Sequence, residues 1–151
     1  VLTDQCKNKL NRMAAAVGII AAVAGRIFFS TSNMLIPAIM LVTGKLMERK
    51  TPKKINWLIG YRTDMSMKNE DTWTFAQQVA GAFSWKWGWV TLVVSAVSML
   101  LLLGKSIELV SSASCTLMFL QLIPVLAVIP HTERALRKNF DKDGKRKDAG
   151  I

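Results

Sequence analysis

The chain has 151 residues, of which 51% are apolar, yet its formal net charge is +10 at pH 7. Its charged and apolar residues occupy separate blocks, whereas the helices of a soluble domain carry a polar stripe beside an apolar one. This segregation argues against a soluble domain. It also favours a membrane protein with basic loops over a nucleic-acid-binding protein, because the Lys and Arg residues sit beside the apolar runs.

An apolar stretch follows the polar N-terminal residues 1–12 and allows two arrangements. In the first, two membrane spans, Met13–Phe29 and Asn33–Met47, are joined by a turn at Ser30–Asn33. In the second, one span covers residues 27–47 and an extra helix precedes it. A span needs about 20 mainly apolar residues, so the 15-residue second span of the first arrangement is short.

The basic residues form three blocks, which lie in the N-terminal tail, in residues 45–87 and in residues 131–151. Cytoplasmic loops carry an excess of Lys and Arg, so all three blocks are cytoplasmic only if residues 13–47 cross the membrane twice. The charge pattern therefore favours four spans in total, with three as the alternative. We expect the N-terminal segment to be retained rather than cleaved as a signal peptide, because Arg26 and a second apolar run follow the first at once.

Residues 48–87 are predicted to form a cytoplasmic loop that contains an amphipathic surface helix. Ser66 or Asn69 is placed to cap a helix that begins near Glu70, and the acids of its first turn would complement the helix dipole. The helix is expected to end near Phe83, with its apolar face along the membrane surface or packed under the bundle. The residues of that face are Trp73, Ala76, Val79, Ala80 and Phe83, whereas Gln77 and Gln78 are expected to point elsewhere.

Two uncharged runs, residues 88–104 and 109–130, are predicted to be the last two spans. Gln121 lies deep in the second of these runs, where a hydrogen bond to a neighbouring helix is favoured over a place in a cavity wall. The predicted fold is a single all-α domain, a polytopic membrane helical bundle.

Residues 131–151 are predicted to be a basic, solvated tail on the cytoplasmic side. Thr132 is placed to cap a short helix in this tail. Leu136 and Phe140 of that helix are expected to face the membrane.

The chain carries no sequence motif of an enzyme or of a cofactor site. Its one histidine, His131, has no partner for a catalytic triad or a metal site, and Cys6 and Cys115 lack the spacing of a metal or redox motif. The segment D-K-D-G at Asp141–Gly144 is similar to part of a calcium loop but lacks the remaining ligands. We therefore predict a non-enzymatic protein that holds no metal ion and no cofactor.

The loop carries a pattern that is similar to a known family. Residues 55–76 read I-N-W-L-I-G-Y-R-T-D-M-S-M-K-N-E-D-T-W-T-F-A, and this segment resembles the SdpI family of small bacterial integral membrane proteins. The resemblance extends over residues from about 33 to 145. The residues that it marks as candidate binding residues are Asn56, Gly60, Tyr61, Arg62, Thr63, Ser66, Asn69 and Trp73. For Arg62, a lipid anchor or salt bridge and a role in recognition are both open.

The resemblance implies a multi-pass protein of the bacterial plasma membrane. It further implies immunity to a secreted, membrane-active peptide toxin, coupled to signalling that holds a transcriptional repressor at the membrane. The expected partners are therefore membrane lipids, a peptide toxin and a repressor, without direct binding to nucleic acid. The alternative is a small membrane transporter or lipid-handling protein, in which Gln121 and Arg26 line a path. A membrane enzyme ranks last.

Overall fold

The computed structural model describes residues 4–49, 55 and 60–147, and within them the chain forms three long α-helices. The helices are α1 (Asp4–Arg49), α2 (Glu70–Leu101) and α3 (Ile107–Asn139). The described residues form no β-strand, apart from an isolated antiparallel bridge between Phe140 and Arg146. The prediction of an all-α protein is confirmed.

Each helix contains an 18-residue window that is apolar enough to cross a membrane, and the mean hydropathies of these windows are 1.9, 1.2 and 2.0. The preference for four spans is wrong, and the alternative of three is supported. Helix α1 runs without a break through the predicted turn at Ser30–Asn33. Thr31 Oγ1 donates to the Ile27 carbonyl at 2.9 Å and Asn33 Nδ2 donates to the Phe29 carbonyl at 2.8 Å. These polar side chains bond back to the preceding helical turn, so they do not break the helix.

Helix α2 begins at Glu70, as the sequence predicts, and of the two predicted caps it is Asn69 that occupies the N-cap position. The helix then continues to Leu101, so the predicted surface helix is the first part of a membrane-spanning helix and not a separate element. Trp73 and Ala76 have no exposed surface and Ala80 is 1% exposed. The apolar face therefore packs inside the protein and not along the membrane surface.

Helix α3 continues through Pro130 for nine more residues, so the prediction of a short tail helix capped by Thr132 is wrong. Thr132 lies buried inside this helix. Leu136 is fully buried and Phe140 is 3% exposed, so neither faces the membrane as predicted. Both residues belong to a buried apolar cluster with Ala76, which explains why the helix extends beyond the apolar run.

Close packing between α1 and α2 depends on two glycines. A Cβ atom at Gly44 would lie 2.7 Å from the Trp85 amide nitrogen and 2.9 Å from the Gly81 carbonyl oxygen, and a Cβ at Gly81 would meet the Gly44 carbonyl oxygen at 2.9 Å. The two backbones can approach this closely only because neither residue has a side chain. Small residues at such contacts are typical of membrane helix packing, where dispersion replaces the hydrophobic effect.

Helix α1 is longer than its partners and extends past them at one end. The Arg26 guanidinium donates to the carbonyl of Lys105 in the connection between α2 and α3. Residues 4–21 lie beyond this level and are all exposed. At the opposite end of the bundle, the C-terminus of α1, the N-terminus of α2 and the C-terminus of α3 come together.

Candidate functional site

The candidate site covers the end of the bundle where α2 begins and α3 ends. Two segments lie over it: residues 60–69, here called the entry loop, and residues 140–147, here called the tail hairpin. The polar residues of the family-like pattern fall mostly in the entry loop.

The entry loop is fixed to α2 at its first residues. The Tyr61 amide donates to Gln77 Oε1 at 2.7 Å, and Gln77 Nε2 donates to the Tyr61 carbonyl at 2.8 Å. Gln77 is fully buried. Its side-chain amide therefore satisfies both the donor and the acceptor of the Tyr61 backbone, as a neighbouring β-strand does in a sheet. Gly60 has φ of +124°, and a Cβ atom there would lie 2.7 Å from Gln77 Oε1, so this approach requires glycine.

The entry loop is also fixed to α3, through Glu133. Thr63 Oγ1 donates to Glu133 Oε1 at 2.5 Å. The Tyr61 hydroxyl donates to the Ile129 carbonyl at 3.1 Å and lies 3.5 Å from Glu133 Oε1. Burial of the Tyr61 phenol and the neighbouring Glu133 carboxylate raise the pKa of Tyr61 to about 12. The hydroxyl therefore remains a hydrogen-bond donor throughout the physiological range.

Ser66 closes the entry loop on itself. Its fully buried Oγ accepts from the Thr63 amide at 2.8 Å and lies 3.0 Å from the Thr63 carbonyl oxygen, to which it donates. The Met67 amide donates to the same carbonyl at 3.1 Å. Ser66 is thus a turn-forming residue, and Asn69 alone caps α2.

Asn69 joins α2 to the tail hairpin. Its Oδ1 accepts from the Thr72 amide at 2.8 Å, while the Asn69 amide donates to Thr72 Oγ1 at 3.1 Å, which completes a capping box. The Asn69 Nδ2 donates to the Gly144 carbonyl at 2.6 Å. Gly144 has φ of +80°, and a Cβ atom there would lie 2.7 Å from Asn69 Nδ2.

The tail hairpin is a folded turn and not a solvated tail. Asp141 Oδ1 accepts from the amides of Asp143 and Lys145 at 2.9 and 2.8 Å. The Asp141 amide donates to the Lys145 carbonyl at 2.9 Å. The D-K-D-G segment therefore uses its first carboxylate to hold its own backbone.

An apolar layer lies beneath both segments. Phe75 and Phe140 pack edge to face with ring centroids 5.3 Å apart, and Tyr61 and Met65 pack against the same buried cluster. Trp73 is fully buried. This tryptophan therefore supports the site from inside and offers no surface to a ligand.

An open cleft of about 880 Å³ lies between the entry loop, the end of α3 and the tail hairpin. Its lining includes the half-buried Met65 and the edge of the buried Phe140. Its four basic side chains are Lys68, Arg137, Lys142 and Lys147, and its three carboxylates are Asp64, Glu133 and Asp141.

The structure brings six of the eight predicted site residues together in one network or in the layer beneath it. Those six are Gly60, Tyr61, Thr63, Ser66, Asn69 and Trp73. Arg62 lies among them with its side chain exposed, and Asn56 is outside the described residues. Their role in binding remains a prediction, because the contacts above are all within the protein.

Two residues of the network, Gln77 and Glu133, are missing from the sequence prediction. The sequence predicts that Gln77 points away from the apolar face, although it occurs four residues after the apolar Trp73 and shares its buried side. Glu133 follows the apolar run of α3 and has the pattern of a solvated tail residue. The one sequence signal that could have identified either residue is its helical spacing from apolar residues that are buried.

The two residues of the predicted transport path do not lie together. Gln121 is 5% exposed, and its Nε2 donates to Ser95 Oγ at 2.6 Å and to the Asn33 carbonyl at 3.2 Å. Gln121 therefore links all three helices. Arg26 lies at the connection between α2 and α3, seven residues before Asn33 along α1.

Comparison with known proteins gives one match. A family model described as the SdpI/YfhL protein family matches residues 53–131, which is more than half of the chain. Neither the curated proteins nor the solved structures compared with the chain gave a match. The chain belongs to the SdpI/YfhL family.

Proposed function

We propose that this SdpI/YfhL family protein is a non-enzymatic immunity protein of the bacterial plasma membrane, which protects against a membrane-active peptide toxin. The observation that carries the proposal is the family match over residues 53–131. That range contains the entry loop and most of the two helices that hold it. The protein also has three helices that are long and apolar enough to span a membrane, which supports an integral membrane protein.

In this proposal the entry loop and the tail hairpin lie on the cytoplasmic side and carry the signalling part of the function. Both segments are basic and folded, and the bias of Lys and Arg toward the cytoplasm supports this orientation. A fixed basic surface next to the membrane suits the retention of a regulator such as a transcriptional repressor.

The hydrogen bonds of the network support a structural and recognition role over catalysis. The Glu133 carboxylate accepts from Thr63 and lies 3.7 Å from Arg137 Nε, so it is already engaged within the protein. The phenol of Tyr61 has its pKa raised to about 12, which keeps it protonated at neutral pH. A general base for reactions at neutral pH needs a pKa near the operating pH.

The test is expression of the protein in a toxin-sensitive bacterial strain, followed by challenge with the cognate peptide toxin. We expect cells that express the wild-type protein to survive. Arg62→Ala is expected to reduce survival, because it removes an exposed cation of the family-like pattern. Arg134→Ala is the matched control, since Arg134 is also exposed at this end but lies outside the family-like pattern. Immunoblots of membranes check that the variants are present in equal amounts.

Equal killing of cells with and without the wild-type protein would refute the immunity function. Equal survival with wild type and Arg62→Ala would instead refute the role of Arg62 and leave the immunity function in place.

The alternative of a transporter or lipid-handling protein makes a different prediction for Gln121. It requires substrate flux in proteoliposomes that Gln121→Leu abolishes while the bundle stays folded. The hydrogen bonds from Gln121 to Ser95 and Asn33 favour a loss of helix packing in this variant. We therefore rank this alternative second.

A further inference from the structure

We propose that the cleft between the entry loop and the tail hairpin binds a phosphate group, as carried by the headgroup of an anionic lipid. The proposal names the ligand class of the same face that the proposed function assigns to signalling, and in that respect it rests on that function.

Two lysines in the cleft are available to a ligand. Lys68 projects from the entry loop and Lys142 from the tail hairpin, and both are exposed. Within the described residues, neither side chain forms a hydrogen bond or an ion pair. Asn69 Nδ2 donates to the Gly144 carbonyl at 2.6 Å and so joins the two segments. This hydrogen bond keeps the two lysines on either side of the same cleft.

The other two basic residues of the cleft are only partly neutralised. Arg137 Nε lies 3.7 Å from Glu133 Oε2, and the Arg137 side chain is 79% exposed, so this ion pair is weak. Lys147 Nζ donates to the Arg137 carbonyl at 2.8 Å, which fixes an ammonium group at the cleft without cancelling its charge. A planar guanidinium beside ammonium groups is a suitable set of donors for phosphate oxygens.

Two of the three carboxylates in the cleft are occupied by donors of the protein itself. Glu133 accepts from Thr63 Oγ1, and Asp141 accepts from two backbone amides of the tail hairpin. Asp64 is the third and is exposed at the rim. Each of these two carboxylates has its charge partly balanced by donors of the protein. The basic side chains therefore dominate the electrostatic potential at the cleft.

The cleft lies just beyond the layer of lipid headgroups, within reach of its long basic side chains. Arg137 is seven residues beyond Pro130, the last residue of the apolar run, and at 1.5 Å per residue this corresponds to about 10 Å. The headgroup layer extends roughly 5–8 Å beyond the hydrocarbon core on each side. Lysine side chains are long enough to reach back into this layer.

The test is calorimetric titration of the purified full-length chain in an uncharged detergent. The probes are short-chain phosphatidic acid, short-chain phosphatidylcholine and inorganic phosphate. We expect saturable binding of phosphatidic acid and none of phosphatidylcholine, whose phosphate is shielded by its choline. The double variant Lys68→Gln/Lys142→Gln is expected to weaken binding by about thirtyfold.

The matched control is the double variant Lys138→Gln/Lys145→Gln, which removes the same charge from exposed positions near the cleft that do not line it. It is expected to bind as the wild type does. Circular dichroism of both variants checks that the helices are retained.

The arms of the experiment separate the two sources of the phosphate. Binding of inorganic phosphate as well, with the same loss in the cleft variant, would assign the site to the phosphate group alone. Binding of phosphatidic acid only would assign it to the lipid headgroup. If neither phosphatidic acid nor inorganic phosphate binds, or if the cleft and control variants weaken binding equally, the proposal is overturned. No toxin is present, so this result is independent of the survival test.

Discussion

Tyr61 is the residue at which the three parts of the site meet. Its backbone is bonded to Gln77 of α2, its hydroxyl to the Ile129 carbonyl of α3, and its ring packs on the apolar layer beneath the tail hairpin. It is also the only tyrosine in the chain. The ionisation of this one phenol therefore reports on the integrity of the whole site.

We predict that Tyr61 titrates near pH 12 in the folded protein, against about 10 for an unperturbed tyrosine. Burial is the main cause and the Glu133 carboxylate adds to it, since both disfavour the phenolate. The raised pKa means that this group stabilises the fold fully below pH 10 and that the contribution is lost as the pH rises from 10 to 12. The absorbance of tyrosinate in the near ultraviolet measures the titration directly.

Glu133→Gln is the informative variant for this titration. It removes the negative charge but keeps the size and an acceptor oxygen, so the midpoint should fall while staying above that of a free tyrosine. Asp64→Asn is the control at an exposed position of the same cleft and should leave the midpoint unchanged. A wild-type midpoint at pH 10 would show that Tyr61 is not held against α3.

At the scale of residues, the sequence identifies the site residues whose role can be read from their near neighbours in the chain. A helix start near Glu70 is predicted with Ser66 or Asn69 as its cap, because two acids and then an apolar pattern follow these residues. Gly60 and Tyr61 are found through the family resemblance. Gln77 and Glu133 could not be found in this way, because each acts on a backbone or side chain 16 or 70 residues away in the chain.

At the scale of elements, the start of α2 and the tail hairpin depend on one side chain. Asn69 caps α2 with its oxygen and holds the Gly144 carbonyl with its nitrogen. These two roles can be separated, because aspartate keeps the oxygen and lacks the donor.

We predict that Asn69→Asp retains the cap but releases the tail hairpin, whereas Asn69→Ala loses both. The loss of a cap costs about 1 kcal/mol of helix stability. Amide hydrogen exchange is the measurement: Asn69→Asp should raise exchange at the Lys145 and Lys147 amides and leave the first turn of α2 protected. Equal exchange of the tail hairpin in wild type and Asn69→Asp would contradict the contact.

The contact of α1 with α2 gives a second prediction at this scale. Gly44→Ala places a Cβ atom 2.7 Å from the backbone of α2, so the helices must separate, at a cost of about 1–3 kcal/mol. Gly18→Ala is the matched control, since nothing lies within 4 Å of its Cβ position and alanine favours a helix. Unfolding by SDS in mixed micelles should show Gly44→Ala destabilised and Gly18→Ala unchanged or more stable. The reverse order would be incompatible with this packing.

The sequence predicts where α2 begins but not where α1 is continuous. Ser30–Asn33 has the composition of a turn, and the side chains of Thr31 and Asn33 nevertheless bond to carbonyls of the preceding helical turn. In the same way, the uncharged run predicts that the last span ends at Pro130. The buried cluster around Leu136 provides the reason for α3 to continue, and this tertiary contact leaves no local signal.

At the scale of the whole molecule, three spans place the two ends of α1 on opposite sides of the membrane. Arg26 and Lys105 mark one boundary of the bundle, and the entry loop and tail hairpin lie beyond the other. Cys6 lies 20 residues before Arg26 in a continuous helix, or about 30 Å beyond that boundary. With three spans, the basic N-terminal tail and the basic candidate site lie on opposite sides of the membrane. The N-terminal tail is therefore an exception to the cytoplasmic excess of Lys and Arg, on which the preference for four spans depends.

The number of spans determines on which sides of the membrane the N-terminus and the candidate site lie. Only an odd number of spans places them on opposite sides. Two single-cysteine proteins test it: Cys115→Ser, which retains Cys6, and Cys6→Ser/Cys115→Ser/Lys145→Cys, which places a thiol on the tail hairpin. Both positions are exposed. The reagent is a membrane-impermeant maleimide applied to intact cells, with permeabilised cells as the labelling control. We predict that Cys6 is labelled in intact cells and that the tail hairpin is labelled only after permeabilisation. Labelling of both positions, or of neither, in intact cells would contradict three spans.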